Sequence, residues 1–150
     1  MLLQSAAFED AGDIPRRHTC DGDNVSPSLR WSDPPPSVRS FAILCSDPDA
    51  PSGMFRHWAA YDIVPAQRSL PEAVMAVAPG MRQAVNQFGR PGYGGPCPPH
   101  GHGAHQYRFT LLALDTPNLD LDESASCADV ERAARRHVLA EANLTGFYQR

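Results

Sequence analysis

His105-Gln-Tyr-Arg-Phe-Thr-Leu-Leu-Ala-Leu114 has the residue pattern of a β-strand. Its first half alternates, so that His105, Tyr107 and Phe109 share one face and polar side chains occupy the other. A loop rich in glycine and proline comes directly before it. A strand that places a histidine and a tyrosine on one face, next to such a loop, indicates a small binding pocket as well as a packed sheet.

Two further segments are predicted to be strands. Residues 40–46 form a short apolar run with β-branched and aromatic members, which is typical of a buried strand. Residues 57–64 form a second run that ends at a proline. Prolines are concentrated at 27–36, 48–51 and 91–99, and these stretches are predicted to be loops because proline fixes φ and cannot donate to a sheet ladder.

One helix is predicted, near the end of the chain. Ser126 can cap it, and apolar residues recur at helical spacing from Val130 to Ala142. Gly146 predicts where the helix stops, and Phe147 and Tyr148 are expected to form a short last strand.

These patterns together predict a mainly β protein. Many short strands, proline-rich connections and a single helix indicate an antiparallel β-sandwich with a short peripheral C-terminal helix. With 150 residues, the chain is expected to form one domain, residues 1–150. Strands and helices do not alternate, which argues against a doubly wound α/β sheet.

The composition bears on partners and location. The chain carries 13 basic residues, all arginine, against 17 acidic ones, and has a net charge of −4. Because the arginines are scattered, no nucleic-acid surface is predicted. No stretch reaches the roughly 18 apolar residues of a membrane-spanning helix. Residues 1–8 lack the basic start of a signal peptide and are predicted to be the first strand, so we expect a cytoplasmic protein.

Four widely spaced cysteines form no Cys-x-x-Cys pair: Cys20, Cys45, Cys97 and Cys127. For a cytosolic protein of this size, we expect four free thiols. Cys97 lies near histidines in the sequence, so a cysteine–histidine nucleophile stays open as an alternative, although no orienting group is evident.

Four polar residues point to anion binding: Asp47, His57, His105 and Tyr107. Histidine N–H groups and a tyrosine hydroxyl donate hydrogen bonds to an anion, and protonated histidine does so more strongly. A carboxylate facing the anion would repel it. We therefore expect Asp47 to accept a hydrogen bond from His57 or His105 and to fix its tautomer. Anion affinity is then expected to rise as the pH falls from about 8 to 6.

Other interpretations of these residues stay open. Asp47 before a proline is typical of an Asx turn, and Asp49 is expected to cap backbone N–H groups of the same turn. Two histidines and an aspartate also occur in metal sites, to which His100 and His102 could add ligands, but no metal is expected. Four other histidines are predicted to be exposed and to have no role: His18, His100, His102 and His137.

The motifs, taken in order, resemble the phosphatidylethanolamine-binding protein family, in the bacterial branch often called Raf kinase inhibitor-like. They cover nearly the whole chain and are specific in this order and spacing. The matching segments are Cys20-Asp-Gly-Asp-Asn-Val-Ser-Pro-Ser-Leu-Arg-Trp31, Asp47-Pro-Asp-Ala-Pro51, His57-Trp58, Asn86-Gln-Phe-Gly89, Gly92-Tyr-Gly-Gly-Pro-Cys-Pro-Pro99 and His105-x-Tyr107-x-Phe109.

The resemblance implies a β-sandwich with a pocket at one end for phosphate-like or carboxylate anions. Carried over position by position, the pocket residues are Asp47, His57, His105 and Tyr107, with Pro98 and Pro99 in the wall. The chain departs from the usual family pattern at Ala59, Ala60 and Asp62 and in the histidines of the loop before His105. These departures leave the pocket residues intact and bear on the shape of the rim.

The expected function is therefore that of a non-enzymatic binding protein without a cofactor. Its ligand would be a phospholipid headgroup, a phosphorylated small molecule or a phosphorylated residue of a protein. The eukaryotic members imply an alternative, a modulator of a kinase or another signalling partner. A hydrolase or metalloenzyme is a third possibility. The bacterial relatives imply a homodimer.

Overall fold

The computed structural model describes all 150 residues, Met1–Arg150. The nine strands are β1 (Leu2–Gln4), β2 (Gly12–Asp13), β3 (Leu29–Ser32), β4 (Ser40–Asp47), β5 (Phe55–Ile63), β6 (Ser69–Leu70), β7 (Arg82–Gln83), β8 (His105–Leu114) and β9 (Val138–Tyr148). A short 3-10 helix, Arg16–His18, follows β2, and one α-helix, α1 (Cys127–Ala134), lies between β8 and β9.

The strands form two sheets. One has three strands in the order β1-β3-β6, and the other has six in the order β2-β9-β8-β4-β5-β7. All neighbouring strands are antiparallel except β2 and β9, which are parallel. The predicted mainly β sandwich with one short helix is confirmed, with this one parallel pair as the exception. The three strands predicted from apolar runs and alternation are the adjacent central strands β5, β4 and β8.

The main core lies between the two sheets. Trp31 of β3 packs edge-on against Phe41 of β4, with ring centroids 5.5 Å apart, and so joins one sheet to the other. Phe109 of β8 and Phe8 lie 5.8 Å apart in the same core. Burial of such apolar surface stabilises the fold by about 25 cal/mol per Å².

A second core lies on the opposite face of the six-stranded sheet, beneath α1. Val130 and Ala134 of the helix are buried there with Leu44, Ala59 and Leu112 of the sheet. None of the helices has the length and apolarity needed to cross a bilayer.

The start of α1 agrees with the prediction, and its end does not. Ser126 caps the helix in a reciprocal capping box with Asp129. The helix ends at Ala134, and the residues from Val138 onward belong to β9 instead. The reason is that Val138 and Ala142 are four residues apart, which fits one face of a strand as well as one face of a helix. Pairing with β8 along its whole length selects the strand.

Candidate functional site

A cavity of about 260 Å³ opens at one end of the six-stranded sheet. Its lining contains all six residues predicted for the site: Asp47, His57, Pro98, Pro99, His105 and Tyr107. The remaining lining residues are Ala50, Pro51, Ser52, Phe55, Phe88 and Cys97.

Strand direction and register explain why residues distant in sequence meet here. Asp47 is the last residue of β4 and pairs with Phe55, the first residue of β5. On the other side of β4, the antiparallel strand β8 begins with His105. The end of β4 and the starts of both neighbours therefore lie at the same end of the sheet. His57 and Tyr107 approach each other there, with ring centroids 5.3 Å apart.

Asp47 is buried and accepts two hydrogen bonds. Its Oδ2 accepts one of 2.7 Å from Nδ1 of His105, and its Oδ1 accepts another of 2.7 Å from the backbone N–H of Asp49. Of the two histidines considered as its partner, the structure selects His105, and the Asx turn coexists with this bond. Asp49 does not cap its own turn as expected. Its Oδ2 accepts from the backbone N–H of Gln106 at 2.9 Å and so ties the turn to β8.

His57 is also buried, and its two ring nitrogens differ. Nδ1 donates to the carbonyl oxygen of Gly94 at 2.7 Å. Because a carbonyl only accepts, Nδ1 carries the proton, and Nε2 of the neutral ring holds a lone pair. Burial lowers the pKa of His57, while the Gly94 carbonyl and the Asp47 carboxylate oppose that shift without cancelling it. His57 is therefore neutral at pH 7, and its Nε2 has no hydrogen-bond partner in the protein.

Tyr107 brings a hydroxyl group to the same cavity. Its ring is fully buried, yet the hydroxyl makes no hydrogen bond to the protein. Burial, helped by the negative charge of Asp47, raises the pKa of Tyr107 far above its usual value. The hydroxyl therefore keeps its proton and is a neutral donor over the whole physiological pH range.

His102 lies at this site, contrary to the prediction. It is exposed, as expected, but its Nδ1 lies 2.5 Å from Nε2 of His105. The contact joins Asp47, His105 and His102 in one chain of hydrogen bonds. Sequence alone gives no sign of this, because two histidines three residues apart meet only if the glycine-rich turn between them bends in one particular way.

Of the other histidines predicted to be exposed, His18 is buried. Its Nδ1 donates to the carbonyl oxygen of Val25 at 2.9 Å, and only 2% of the residue is exposed. His137 is half-buried and pairs with Asp115 at 2.8 Å. This pair lies where β8 ends, whereas the cavity lies where β8 begins.

A disulfide joins Cys20 to Cys97, so the prediction of four free thiols is wrong. Cys45 and Cys127 are free and buried. The bonded cysteines are 77 positions apart with no local signal between them, and only the fold brings their Cα atoms to 5.4 Å. While the disulfide stands, Cys97 has no thiolate, and the cysteine–histidine nucleophile is not available.

The disulfide holds the pocket wall, because Cys97 directly precedes Pro98 and Pro99. Hydrogen bonds reinforce it: the N–H of Cys20 donates to Pro96, and the hydroxyl of Tyr93 donates to the carbonyl of His18 at 2.7 Å. The proline wall is thus fixed to the segment that follows the 3-10 helix.

The metal alternative finds no support in this geometry. No three His, Cys, Asp or Glu side chains are arranged to hold a metal ion. The single carboxylate, that of Asp47, has both oxygens engaged by N–H donors. The arrangement instead offers hydrogen-bonding groups around a small cavity.

Comparison with known proteins covers the whole chain. The family model described as phosphatidylethanolamine-binding protein matches residues 4–149. A UPF0098 protein of Aquifex aeolicus is 45% identical over all of this chain and 89% of its own length. One of Methanothermobacter thermautotrophicus is 47% identical over 100% and 99%.

A solved structure agrees with these sequence matches. YbcL of Escherichia coli, described as a new member of the mammalian PEBP family, has a TM-score of 0.94 and 32% identity, and the match covers 99% of this chain and 98% of YbcL. The similarity therefore extends over the entire sandwich and is not confined to the pocket motifs. The chain belongs to the phosphatidylethanolamine-binding protein family.

Proposed function

We propose that this protein binds a small phosphate-like or carboxylate anion in the 260 Å³ cavity and is not an enzyme. One observation carries the proposal: Tyr107 and His57, two buried side chains, each have a polar atom without a protein partner at the same cavity. Neither atom is among the buried polar atoms that are shut off from solvent without a partner, which are Nε1 of Trp31 and Nε of Arg150, so both atoms are open to the cavity. A ligand oxygen that accepts from the Tyr107 hydroxyl and from protonated His57 would give each of them a partner.

The charge of Asp47 is compatible with an anion in the cavity. Both of its oxygens already accept hydrogen bonds, one from His105 and one from the backbone of Asp49. Its role is then to orient His105, with Nδ1 towards the carboxylate and Nε2 turned away from it.

The size of the cavity favours a headgroup over a whole lipid. Pockets for drug-sized ligands range over about 300–1,000 Å³, and this one lies below that range. Acyl chains would need a larger apolar cavity. Phe55, Phe88 and Pro98 line the walls and can pack against the group that carries the anion.

Binding is favoured over catalysis because the pocket lacks an activated nucleophile. Cys97 is held in the disulfide, and the exposed Ser52 has no hydrogen bond to a histidine. Nucleophilic catalysis needs a base within hydrogen-bond reach of the attacking group.

The source of the anion separates the two main alternatives. A small phosphorylated molecule or headgroup would make this a small-molecule binder, and a phosphorylated residue would make it a modulator of a kinase or another signalling partner. Phe88 lines the cavity and is 41% exposed, so a larger molecule that carries the anion, such as a peptide, can contact it from outside. The cytoplasmic location and the homodimer stay predictions, and a disulfide is more typical of oxidising compartments.

Thermal-shift titration tests the proposal. The probes are inorganic phosphate, acetate, phosphoethanolamine and a phosphoserine peptide, each with the wild type, His57→Gln and, as matched control, His137→Gln. All are measured at pH 6, because only protonated His57 donates from Nε2 to an anion. A probe at 100 times its dissociation constant stabilises the native state by about 2.7 kcal/mol. We expect at least one anion to raise Tm in the wild type and the control, with a smaller rise in His57→Gln.

The outcome also distinguishes the alternatives. A shift with phosphoethanolamine favours a headgroup or small molecule, and a shift confined to the peptide favours a protein partner. No shift with any probe, or the same shift in His57→Gln, would overturn the anion-binding proposal.

A further inference from the structure

The turn that precedes β8 brings His102 onto the one ring nitrogen of His105 that Asp47 does not use. Nδ1 of His102 lies 2.5 Å from Nε2 of His105, and the two ring centroids are 4.8 Å apart. His102 does not line the cavity itself. It occupies Nε2 of His105, a polar group that a ligand in the cavity would need.

Proton positions around His105 follow from its partners. Nδ1 faces a carboxylate oxygen of Asp47, which can only accept, so Nδ1 carries a proton. Two ring nitrogens at 2.5 Å must share a single proton, since two protons would clash and two lone pairs would repel. Whichever ring holds that proton, Nε2 of His105 is fully engaged by His102.

A ligand that uses Nε2 of His105 must therefore first displace His102. The local structure allows this movement. Gly101 and Gly103 flank His102 with φ of 73° and 85°, in the region that favours glycine. No heavy atom comes within 4 Å of the space beyond either Cα, and His102 is exposed. Its ring can swing away into solvent without disturbing the core.

We propose that His102 is a built-in competitor for the anion, which occupies Nε2 of His105 in the ligand-free protein and is displaced when the anion binds. This inference rests on the proposed function of the cavity and adds to it a residue that governs affinity. His102 acts by competition and does not contact the bound anion. Its removal therefore strengthens binding, whereas removal of a binding group would weaken it.

Calorimetric titration with inorganic phosphate at pH 6.0 tests this, because an anion can accept from Nε2 of His105 only when that nitrogen carries the shared proton, and acid favours protonated imidazole. The variants are the wild type, His102→Ala and, as matched control from the same exposed turn, His100→Ala. We expect His102→Ala to bind phosphate about two- to tenfold more tightly than the wild type, the equivalent of one displaced hydrogen bond. His100→Ala should match the wild type.

The outcomes separate failure of this inference from failure of the proposed function. Equal or weaker binding by His102→Ala, with clear binding by the wild type, overturns the competitor role and leaves the anion site standing. No binding of phosphate by the wild type or by His102→Ala overturns the competitor role, and it overturns the proposed function as well if acetate, phosphoethanolamine and the phosphoserine peptide also give no thermal shift.

Proton-coupled ¹⁵N spectra of the imidazole rings give a second readout. In the ligand-free wild type, we expect the signals of His102 Nδ1 and His105 Nε2 to report one shared proton, and saturating phosphate to abolish this coupling. Coupling that persists at saturation would contradict displacement.

Discussion

Nδ1 of His105 donates a 2.7 Å hydrogen bond to Oδ2 of Asp47, and the two residues are only 2% and 3% exposed. The bond joins the end of β4 to the start of β8 at the edge of the cavity. A buried carboxylate needs such partners because its desolvation is costly. The pair therefore serves the fold and the site at once.

Removal of the histidine should be strongly destabilising. His105→Ala leaves the buried carboxylate of Asp47 with one donor fewer, and loss of one partner of a buried pair costs about 3–5 kcal/mol. His137→Ala is the matched control, because its 2.8 Å pair with Asp115 is partly exposed, where such pairs contribute about 0–1 kcal/mol. Urea denaturation of both variants measures the difference, and similar losses in the two would contradict a special role for the buried pair.

Stability should fall in mild acid because of His57. The unfolded chain binds a proton at His57 near pH 6.5, whereas burial lowers the pKa of this side chain in the folded protein. Between those two pKa values the unfolded state binds more protons, so the contribution of neutral His57 is complete above pH 6.5 and is lost as the pH falls through the folded pKa.

Denaturation of the wild type and His57→Gln from pH 5 to 8 isolates this contribution. The difference in the free energy of unfolding between the two should shrink below about pH 6.5. A difference that is constant over the whole range would show that His57 is not held neutral by the fold.

The lowered pKa of His57 also moves the pH range in which anion binding is expected to strengthen. Protonated His57 donates from Nε2 to an anion, so affinity should rise as the pH falls. Since burial lowers the pKa of His57, most of the rise should lie below pH 6.5, lower than the range of about 8 to 6 that free histidine predicts. Calorimetry with acetate, which stays largely ionised from pH 5.5 to 8, should show a constant affinity between pH 8 and 7 and a rise in affinity at lower pH. An affinity that has already reached its maximum at pH 7 would contradict this assignment.

Reduction of the disulfide should destabilise the fold and loosen the pocket wall. A native disulfide typically contributes about 2–4 kcal/mol, and this one closes a loop across 77 residues. Dithiothreitol should therefore lower Tm of the wild type and leave that of the double variant Cys20→Ser, Cys97→Ser unchanged. Thiol titration of the denatured, unreduced protein should find the two free cysteines, Cys45 and Cys127; four reactive thiols would contradict the bond.

The sequence predicted the central strands well and the last strand poorly, for a physical reason. The segments that became β4, β5 and β8 contain apolar runs or strict alternation, which few other structures can satisfy. The sequence of β9, Val-Leu-Ala-Glu-Ala-Asn-Leu-Thr-Gly-Phe-Tyr, has neither a long apolar run nor strict alternation, and Val138 and Ala142 fit a helix equally well. Only long-range pairing with β8 distinguishes the two structures, and this information is not local.

The site shows the same division between local and non-local information. Six of the twelve lining residues were predicted because the motifs that carry them are specific in their order and spacing, and the structure places these six around one cavity. The partner of Cys97, the burial of His18 and the contact of His102 with His105 depend on how loops fold back on the sheet. No spacing in the sequence encodes these three features.

Calorimetric titration of phosphoethanolamine into the wild type and Tyr107→Phe at pH 6 tests the central claim most directly. The variant keeps the buried ring and removes only a hydroxyl that has no partner in the protein, so the fold should be unaffected. A hydrogen bond to a charged group contributes about 1.5–3 kcal/mol, which is more than tenfold in affinity. We expect binding by the wild type and at least tenfold weaker binding by Tyr107→Phe, whereas equal affinities would contradict an anion site at this cavity. Failure of the wild type to bind both phosphoethanolamine and the phosphoserine peptide would contradict it too.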